Sequence, residues 1–456
     1  AMHCESKHLL HCAAMYTWIG IVIYFSVFFR AAEIDVLPIE QYGLVFTIIL
    51  YYWKCLQFLV LPQCIFQLIG LTFFNSFREK VHLKAAPLLA PFICFRVVTR
   101  GLYPRLVKDN LKVNLDVCKR AGLANFTFEV VTDNRIDLAA GRLVREVVVP
   151  SAYKSKSGAL FKARALQYCI EDDVNRLHDS DWVVHLDEET LLTSNSVAGI
   201  LNFVEQGMHD FGQGLITYAN GEIVNWLNTL SDTYRVADDC GKLRGQLSVF
   251  HRPLFGWKGS YVVTRHGAER TITWDHGPEG SIAEDAYFGI MAIQAGYSFD
   301  YIEGEMLEKS PFTTCDFLQQ RKRWLEGLML TVHSKKIRLL YKLPLAFVVY
   351  SWVFTPLILA QFLITPFFPL PRNALLESIF AFLPAINIYM HVFGVVHSFT
   401  QKYRNNVCLM LLHCLGACLT IPYTIVIQVS SVFLLFFGPK KEFFIVKKES
   451  TPLIDV

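Results

Sequence analysis

The stretch DWVVHLDEET, residues 181 to 190, places three consecutive carboxylates, Asp187, Glu188 and Glu189, at the end of an apolar run. Trp182 to Leu186 reads as a strand buried on both faces. Carboxylates gathered at its C-terminal edge repel one another, and water or a cation must offset that repulsion. In an extended chain residues i and i+2 share a face, so Asp187 and Glu189 point one way and Glu188 the other. Two carboxylates on one side make a hard-oxygen site for Mg2+ or Mn2+, able to share the ion with phosphate oxygens. A solvated acidic turn before a helix capped by Thr193 or Ser194 accounts for the same residues without a ligand.

Other stretches carry compatible chemistry. Asp133 ends EVVTD, where a carboxylate can accept hydrogen bonds from a nucleobase or ribose, or simply begin a turn with Asn134. GALFKARALQY (158 to 168) opens a helix with Lys162 and Arg164 in its first turns, placed to meet phosphates or to lie on the surface. GSIAEDAYFG (280 to 289) sets Glu284 and Asp285 between a glycine-bearing loop and an apolar helix. There Asp285 can take a proton from an attacking hydroxyl, or cap the helix. In TTCDFLQQRKRWLEG, Thr313 and Asp316 fit a helix start, and Gln320, Arg323 and Trp324 then share one face. Arg beside Trp suits a phosphate next to a sugar or base, while Leu318, Leu325 and Leu328 equally suit a helix lying on a membrane.

Elements able to position these residues alternate along the central region. Strand-like runs at 91–101, 126–133, 146–150 and 181–187 are separated by helix-like stretches at 103–121 and 158–177. That alternation predicts a parallel sheet covered by helices. Ligands of open sheets bind beyond the carboxyl ends of the strands, where Asp133 and Asp187 fall.

With 53% hydrophobic and 18% charged residues, the chain is too apolar for an ordinary soluble enzyme, and the apolar excess sits at its two ends. Residues 13–29 form one apolar run, and 42–74 a second, interrupted by Lys54 and Pro62. Within the second, the part from Cys55 to Phe74 is long enough to cross a bilayer, which places Lys54 near an interface. Residues 343–370 and 378–396 are further spans, and 407–438 is either one helix kinked at Pro422 or a re-entrant hairpin. Four regions follow: a transmembrane region at 1–74, a catalytic region at 75–335, a second transmembrane region at 336–438 and a tail at 439–456.

Arg78, Lys80 and Lys84 before the central region, and Lys335, Lys336, Arg338 and Lys342 after it, place it in the cytosol. The first loop carries Glu33, Asp35 and Glu40 instead. The tail PKKEFFIVKKES also suits the cytosol, which favours an even number of C-terminal crossings. A cytosolic domain further predicts that the triplet Asn125-Phe126-Thr127 stays unglycosylated. Scattered cysteines, odd in number in the central region, suit buried thiols better than a disulfide framework. A formal charge of +3 with no basic tract gives no reason to expect nucleic acid.

Asp133, the Asp187-Glu188-Glu189 triplet, Glu284-Asp285 and Gln320-x-x-Arg323-Trp324, in that order, resemble glycosyltransferase family 2. The likeness is to its membrane-embedded inverting members, such as cellulose, chitin and hyaluronan synthases. PLLAPFICFRVVTRG, GQGLITYAN, WKGSYVVT and SPFTTCDFLQQRKRWLEG are similar to the egghead-type β-1,4-mannosyltransferases of invertebrates. The resemblance implies an α/β GT-A catalytic domain flanked by transmembrane helices, a divalent metal, a GDP-mannose donor and a glucosylceramide acceptor. It implies that Asp133 binds the nucleotide, that Asp187 and Glu189 hold metal and diphosphate, and that Asp285 is the base beside Glu284. Gln320, Arg323 and Trp324 would line the donor and acceptor site, and Lys162 would stand on the phosphate side. WKGSYVVT would form an acceptor wall through Trp257, Gly259 and Ser260, with Trp257 either stacking on sugar or packing in the core. Glu189 departs from the pattern, since many relatives carry a second Asp there. The family's reaction implies a membrane enzyme of the ER or Golgi. A processive polysaccharide synthase and a non-catalytic membrane receptor or scaffold are the rival readings.

Overall fold

The computed structural model describes residues 4–29, 36–78, 80–139, 141–403 and 406–439. Arg30, Glu33 and Asp35 of the first loop and the tail from residue 440 lie outside them.

The strand signals of the central region resolve into β1 (Ile93–Thr99), β2 (Phe126–Thr132), β3 (Val144–Val148) and β4 (Trp182–Asp187). Three further strands, β5 (Phe211–Thr217), β6 (Val262–Arg265) and β7 (Phe299–Leu307), complete one sheet in the order β3-β2-β1-β4-β6-β5-β7. The expected parallel pairing holds from β3 to β4 and again for β5 with β7. The sheet is nevertheless mixed, because β6 runs antiparallel to both β4 and β5. This reversal has a consequence for the site: the residues entering β6 lie at the rim where β4 ends. Opposing His185 to Val262 brings Ser260 beside Asp187.

Alternation along the strands supplies two faces. Ile93, Phe95 and Val97 of β1 pack with Phe126 and Phe128 of β2, and with helices Pro104–Arg120 and Ser194–Gln206. The Phe95 and Phe128 rings stack at 4.8 Å, and each fully buried ring stabilises the fold by about 2–3 kcal/mol. Leu166, Ala268, Ile272, Phe288 and Ile293 cover the opposite face from helices Phe161–Ile170, His266–Ile272 and Glu284–Gln294. The helix expected over 158–177 is thus shorter than its sequence pattern, because residues after Ile170 leave in a turn. In the middle of the sheet Arg96 is fully buried, 2.8 Å from Glu129 and 3.4 Å from Glu269.

Cys4–Phe28, Leu44–Phe73, Ala374–Phe399 and Val407–Phe437 are long and apolar enough to cross a membrane. The break expected at Lys54 does not divide the second of these; the apolar stretch begins at Leu44, and Glu377 holds Lys54 at 2.8 Å. The span expected over 343–370 is a bent pair, Leu339–Val353 and Thr355–Ile364, meeting at 52°. Pro356 stands at the start of the second piece, where a missing N–H costs least. Residues 407–437 count as one candidate span, with Pro422 opening its second helix.

These helices dock closely on the catalytic region. A Cβ on Gly70 would come within 1.8 Å of the Gly241 carbonyl oxygen, and one on Gly394 within 1.9 Å of that of Thr233. Only a residue without a side chain lets the backbones meet there. All 12 cysteines are free; of those in the central region Cys94, Cys118, Cys169 and Cys240 are buried, while Cys315 is exposed.

Candidate active site

The rim of the sheet is built from strand ends. Asp133 follows β2, Asp187 ends β4, Ser260 precedes β6, Tyr218 follows β5, and Glu308 follows β7. A cavity of about 1230 Å³ opens above them. Asp133, Lys162, Asp187, Glu189, Trp257, Gly259, Ser260, Glu284, Asp285, Gln320, Arg323 and Trp324 all line it. Residues spread over the central region are therefore gathered in one place.

Local structure explains the positions. The chain turns at Glu188 and Glu189, so the alternation expected of an extended chain ends at Asp187; Glu188 accepts the Thr99 hydroxyl, and all three carboxylates line the cavity. The next helix is capped by Thr193, whose hydroxyl accepts from the Ser196 amide, so the acidic triplet is not consumed in capping it. Helix Glu284–Gln294 begins after Ala283 with no side-chain cap from that residue, and Asp285 Oδ1 accepts the first-turn amide of Ala286 at 2.8 Å. Thr313 caps helix Thr314–His333 by accepting from the Asp316 amide.

Lys162 is the hub. Its ammonium lies 2.6 Å from Asp187 Oδ1, 3.0 Å from the Gly259 carbonyl and 3.8 Å from Glu284 Oε1. Burial would lower its pKa, but Asp187 and then Glu284 outweigh that and hold it above the usual lysine range. A Cβ on Gly259 would meet Lys162 Nζ at 3.2 Å, Asp285 Oδ2 at 3.3 Å and Glu284 Oε1 at 3.4 Å. The glycine therefore leaves the space in which three charged groups converge. Burial, then the neighbouring Asp285, pushes Glu284 up to about 7, and burial also raises Asp285. Arg323 and Lys162 oppose both shifts.

Other expectations are redistributed. Arg164 also lines the cavity, where it binds Asp133 at 2.8 Å and the carbonyls of Pro150 and Tyr153, and so positions Asp133. The Trp257 ring is 4% exposed and packs against Phe288 and Phe299, centroids 5.8 and 5.2 Å away, so core packing replaces sugar stacking. Its backbone still carries Gly259 and Ser260 to the rim. Arg235 and Arg321 lie over the Trp324 ring at 4.7 and 4.3 Å, so cations of the protein itself occupy the stacking role expected for a sugar or base.

Sequence reasoning missed a second group. Glu308 accepts the Thr190 hydroxyl at 2.7 Å, and Thr190 lies 2.9 Å from the Ser260 hydroxyl. Both hydroxyls accept from the Asp187 amide, at 3.2 and 3.4 Å. Arg235, Asp239 and Lys258 complete that wall, with Lys258 paired to Asp239. No local pattern marks these residues, since they meet only through the order of β4, β6, β5 and β7.

Asp187 already holds one cation, the Lys162 ammonium, and Glu189 lines the same wall. Carboxylate oxygens are the donor type that Mg2+ or Mn2+ takes. A GT-A-like mixed sheet, carboxylates at its carboxyl edge and the Gln320-Arg323-Trp324 helix face together define a glycosyltransferase. The signature described as glycosyl transferase family group 2 matches residues 182–397. A Caenorhabditis briggsae protein named beta-1,4-mannosyltransferase bre-3 is 58% identical over 451 residues, 98% of this chain and 99% of its own. Caenorhabditis elegans bre-3 is similar to the same extent, 58% over 98% and 99%. Drosophila melanogaster beta-1,4-mannosyltransferase egh is 53% identical over 98% of both chains. The chain belongs to the β-1,4-mannosyltransferase family of these relatives.

Proposed function

We propose that the protein transfers mannose from GDP-mannose to the glucose of glucosylceramide, in β-1,4 linkage with inversion. One observation carries the reading. The cavity that joins Lys162 and Asp187 to Glu284 and Asp285 is also lined by Trp352, Ile427 and Gln428 of the apolar helices. A donor at the sheet rim and a lipid-borne acceptor can thus meet in one space.

Asp133, held by Arg164, receives the nucleoside, and the diphosphate lies near Asp187 and Lys162. Asp187 and Glu189 would hold a divalent cation, which would neutralise charge on the diphosphate. Asp285 accepts the proton of the acceptor hydroxyl as its oxygen bonds to the anomeric carbon, whose bond to the diphosphate oxygen breaks. Lys162 balances the charge on the departing GDP. Glu284, protonated below about pH 7, keeps the pair to a single negative charge. The catalytic region faces the cytosol at an ER or Golgi membrane in this reading.

Purified protein in lipid nanodiscs, supplied with GDP-mannose and glucosylceramide, tests it through GDP release and the lipid product. A single mannosylated lipid, lost on chelation and in Asp285→Asn, is expected. A polymer would indicate a processive synthase, and silence with every nucleotide sugar a scaffold. Glycosylation at Asn125 in cells would overturn the cytosolic orientation.

A further inference from the structure

We infer that a hexose-binding subsite for the acceptor lies on the wall formed by Tyr218, Asp239, Ser310 and Gln320, and this inference rests on the transferase reading above. Tyr218, Asp239 and Ser310 are 3%, 1% and 7% exposed. The Tyr218 hydroxyl, the Ser310 hydroxyl, Asp239 Oδ2 and Gln320 Oε1 have no hydrogen-bond partner among the described residues. Buried polar atoms are nearly always paired, so a group of them on side chains lining one cavity marks where a hydroxyl-rich ligand or its water belongs. A sugar ring offers both donors and acceptors at that density.

Placement along the sheet assigns the ligand. Asp133 lies two strands from β4 on one side; Tyr218 lies two strands, and Ser310 three, on the other. Tyr218 and Ser310 therefore follow strands on the side of β4 opposite to Asp133 and the nucleoside end. Val348, Trp352 and Ile427, apolar residues of the membrane-type helices, line the same cavity. A glucose headgroup with its hydrocarbon directed that way satisfies both surfaces.

The wall is built to hold its shape. Arg235 lies over the Tyr218 ring at 4.5 Å and over Trp324 at 4.7 Å, fixing both aromatics. Asp239 opens a single π-helical turn, Asp239–Leu243, a wider turn often found where a helix shapes a site. Its other carboxylate oxygen binds Lys258. Gly70 and Gly394 bring the apolar helices onto this same turn and onto the preceding helix Trp226–Asp238.

The test uses Tyr218→Phe, which keeps the ring on Arg235, and Ser310→Ala, in the full chain in nanodiscs. Each is expected to raise the KM for glucosylceramide about three- to tenfold and leave that for GDP-mannose within about twofold. An unchanged acceptor KM, or a rise in the donor KM instead, would overturn the assignment. Calorimetric titration with octyl β-glucoside, below its micelle concentration, supplies a readout independent of turnover. Binding weakened by the same factor in either variant supports the subsite, and unaltered binding in both removes it. A wild type inactive on glucosylceramide would defeat the transferase reading, while this titration would still decide the subsite.

Discussion

Lys162 Nζ lies 2.6 Å from Asp187 Oδ1 and 3.8 Å from Glu284 Oε1, so one ammonium joins the strand-end carboxylate to the carboxylate pair of helix Glu284–Gln294. In the proposed mechanism, the charges that face the diphosphate and those that handle the proton are thereby coupled.

Removing the hub is expected to damage both functions. Lys162→Met should lower kcat/KM for the donor by about 10²–10³-fold, comparable to loss of a preorganised electrostatic contact. Lys162→Arg should recover only part of it, because the planar guanidinium cannot meet Asp187 and the Gly259 carbonyl as a compact ammonium does. Steady-state kinetics on the two variants checks both statements.

Asp285→Asn should reduce kcat by about 10²–10⁴-fold, the usual worth of a general base, with nucleotide binding retained. Glu284→Gln should behave differently. Glu284 is pushed up to about 7 by burial and by Asp285, so the glutamine copies the neutral species present at pH 6. Activity at pH 6 is expected within tenfold of wild type, and a loss as deep as that of Asp285→Asn would assign the base to Glu284.

The same shift has a stability consequence. A carboxyl whose folded pKa is raised contributes stability fully present below its unfolded pKa near 4.5, and lost as pH rises through about 7. Ionising Glu284 should therefore lower stability between pH 5 and 8. Thermal melts of Glu284→Gln across that range should lack this loss, and parallel curves for the two proteins would refute it.

Chelation should abolish turnover, and adding Mg2+ or Mn2+ should restore it. Asp187→Asn should raise the metal concentration for half-maximal activity more than Glu189→Gln does, because Thr190 and Ser260 anchor the Asp187 backbone. Equal effects would give the two carboxylates equal parts in holding the ion.

Arg96 carries no catalytic expectation, but its removal should cost the fold heavily. Arg96→Met leaves Glu129 and Glu269 buried without this partner, a change worth about 3–5 kcal/mol. Denaturation of the variant measures the loss, and the kcat of its folded fraction should be unchanged.

Much of this protein was readable along the chain. The strand runs that became β1 to β4 and the carboxylates at their ends were legible because alternation and turn signals act between near neighbours. Thr193 and Thr313 marked helix starts for the same reason. β5 and β7 were not legible as strands, since FGQGLIT and FDYIEGEML mix glycine and charge into patterns that only packing on the sheet rationalises. Trp257 shows the limit most clearly. Its sequence context suited a sugar platform and a core residue equally, and Phe288 and Phe299 decided for the core.

By itself the sequence determined the chemical inventory: oxygen donors at strand ends, a carboxylate pair opening a helix, and apolar stretches able to cross a bilayer. Those follow from residue type and short-range spacing. Tertiary structure alone decided that Lys162 stands between Asp187 and Glu284, that Arg164 serves Asp133, and that Glu308 braces Thr190. It also decided that Tyr218 and Ser310 line the same cavity as Trp352 and Ile427 of the apolar helices. Such partnerships depend on strand order and on the reversed direction of β6, which arise from long-range packing and leave no local periodicity to read.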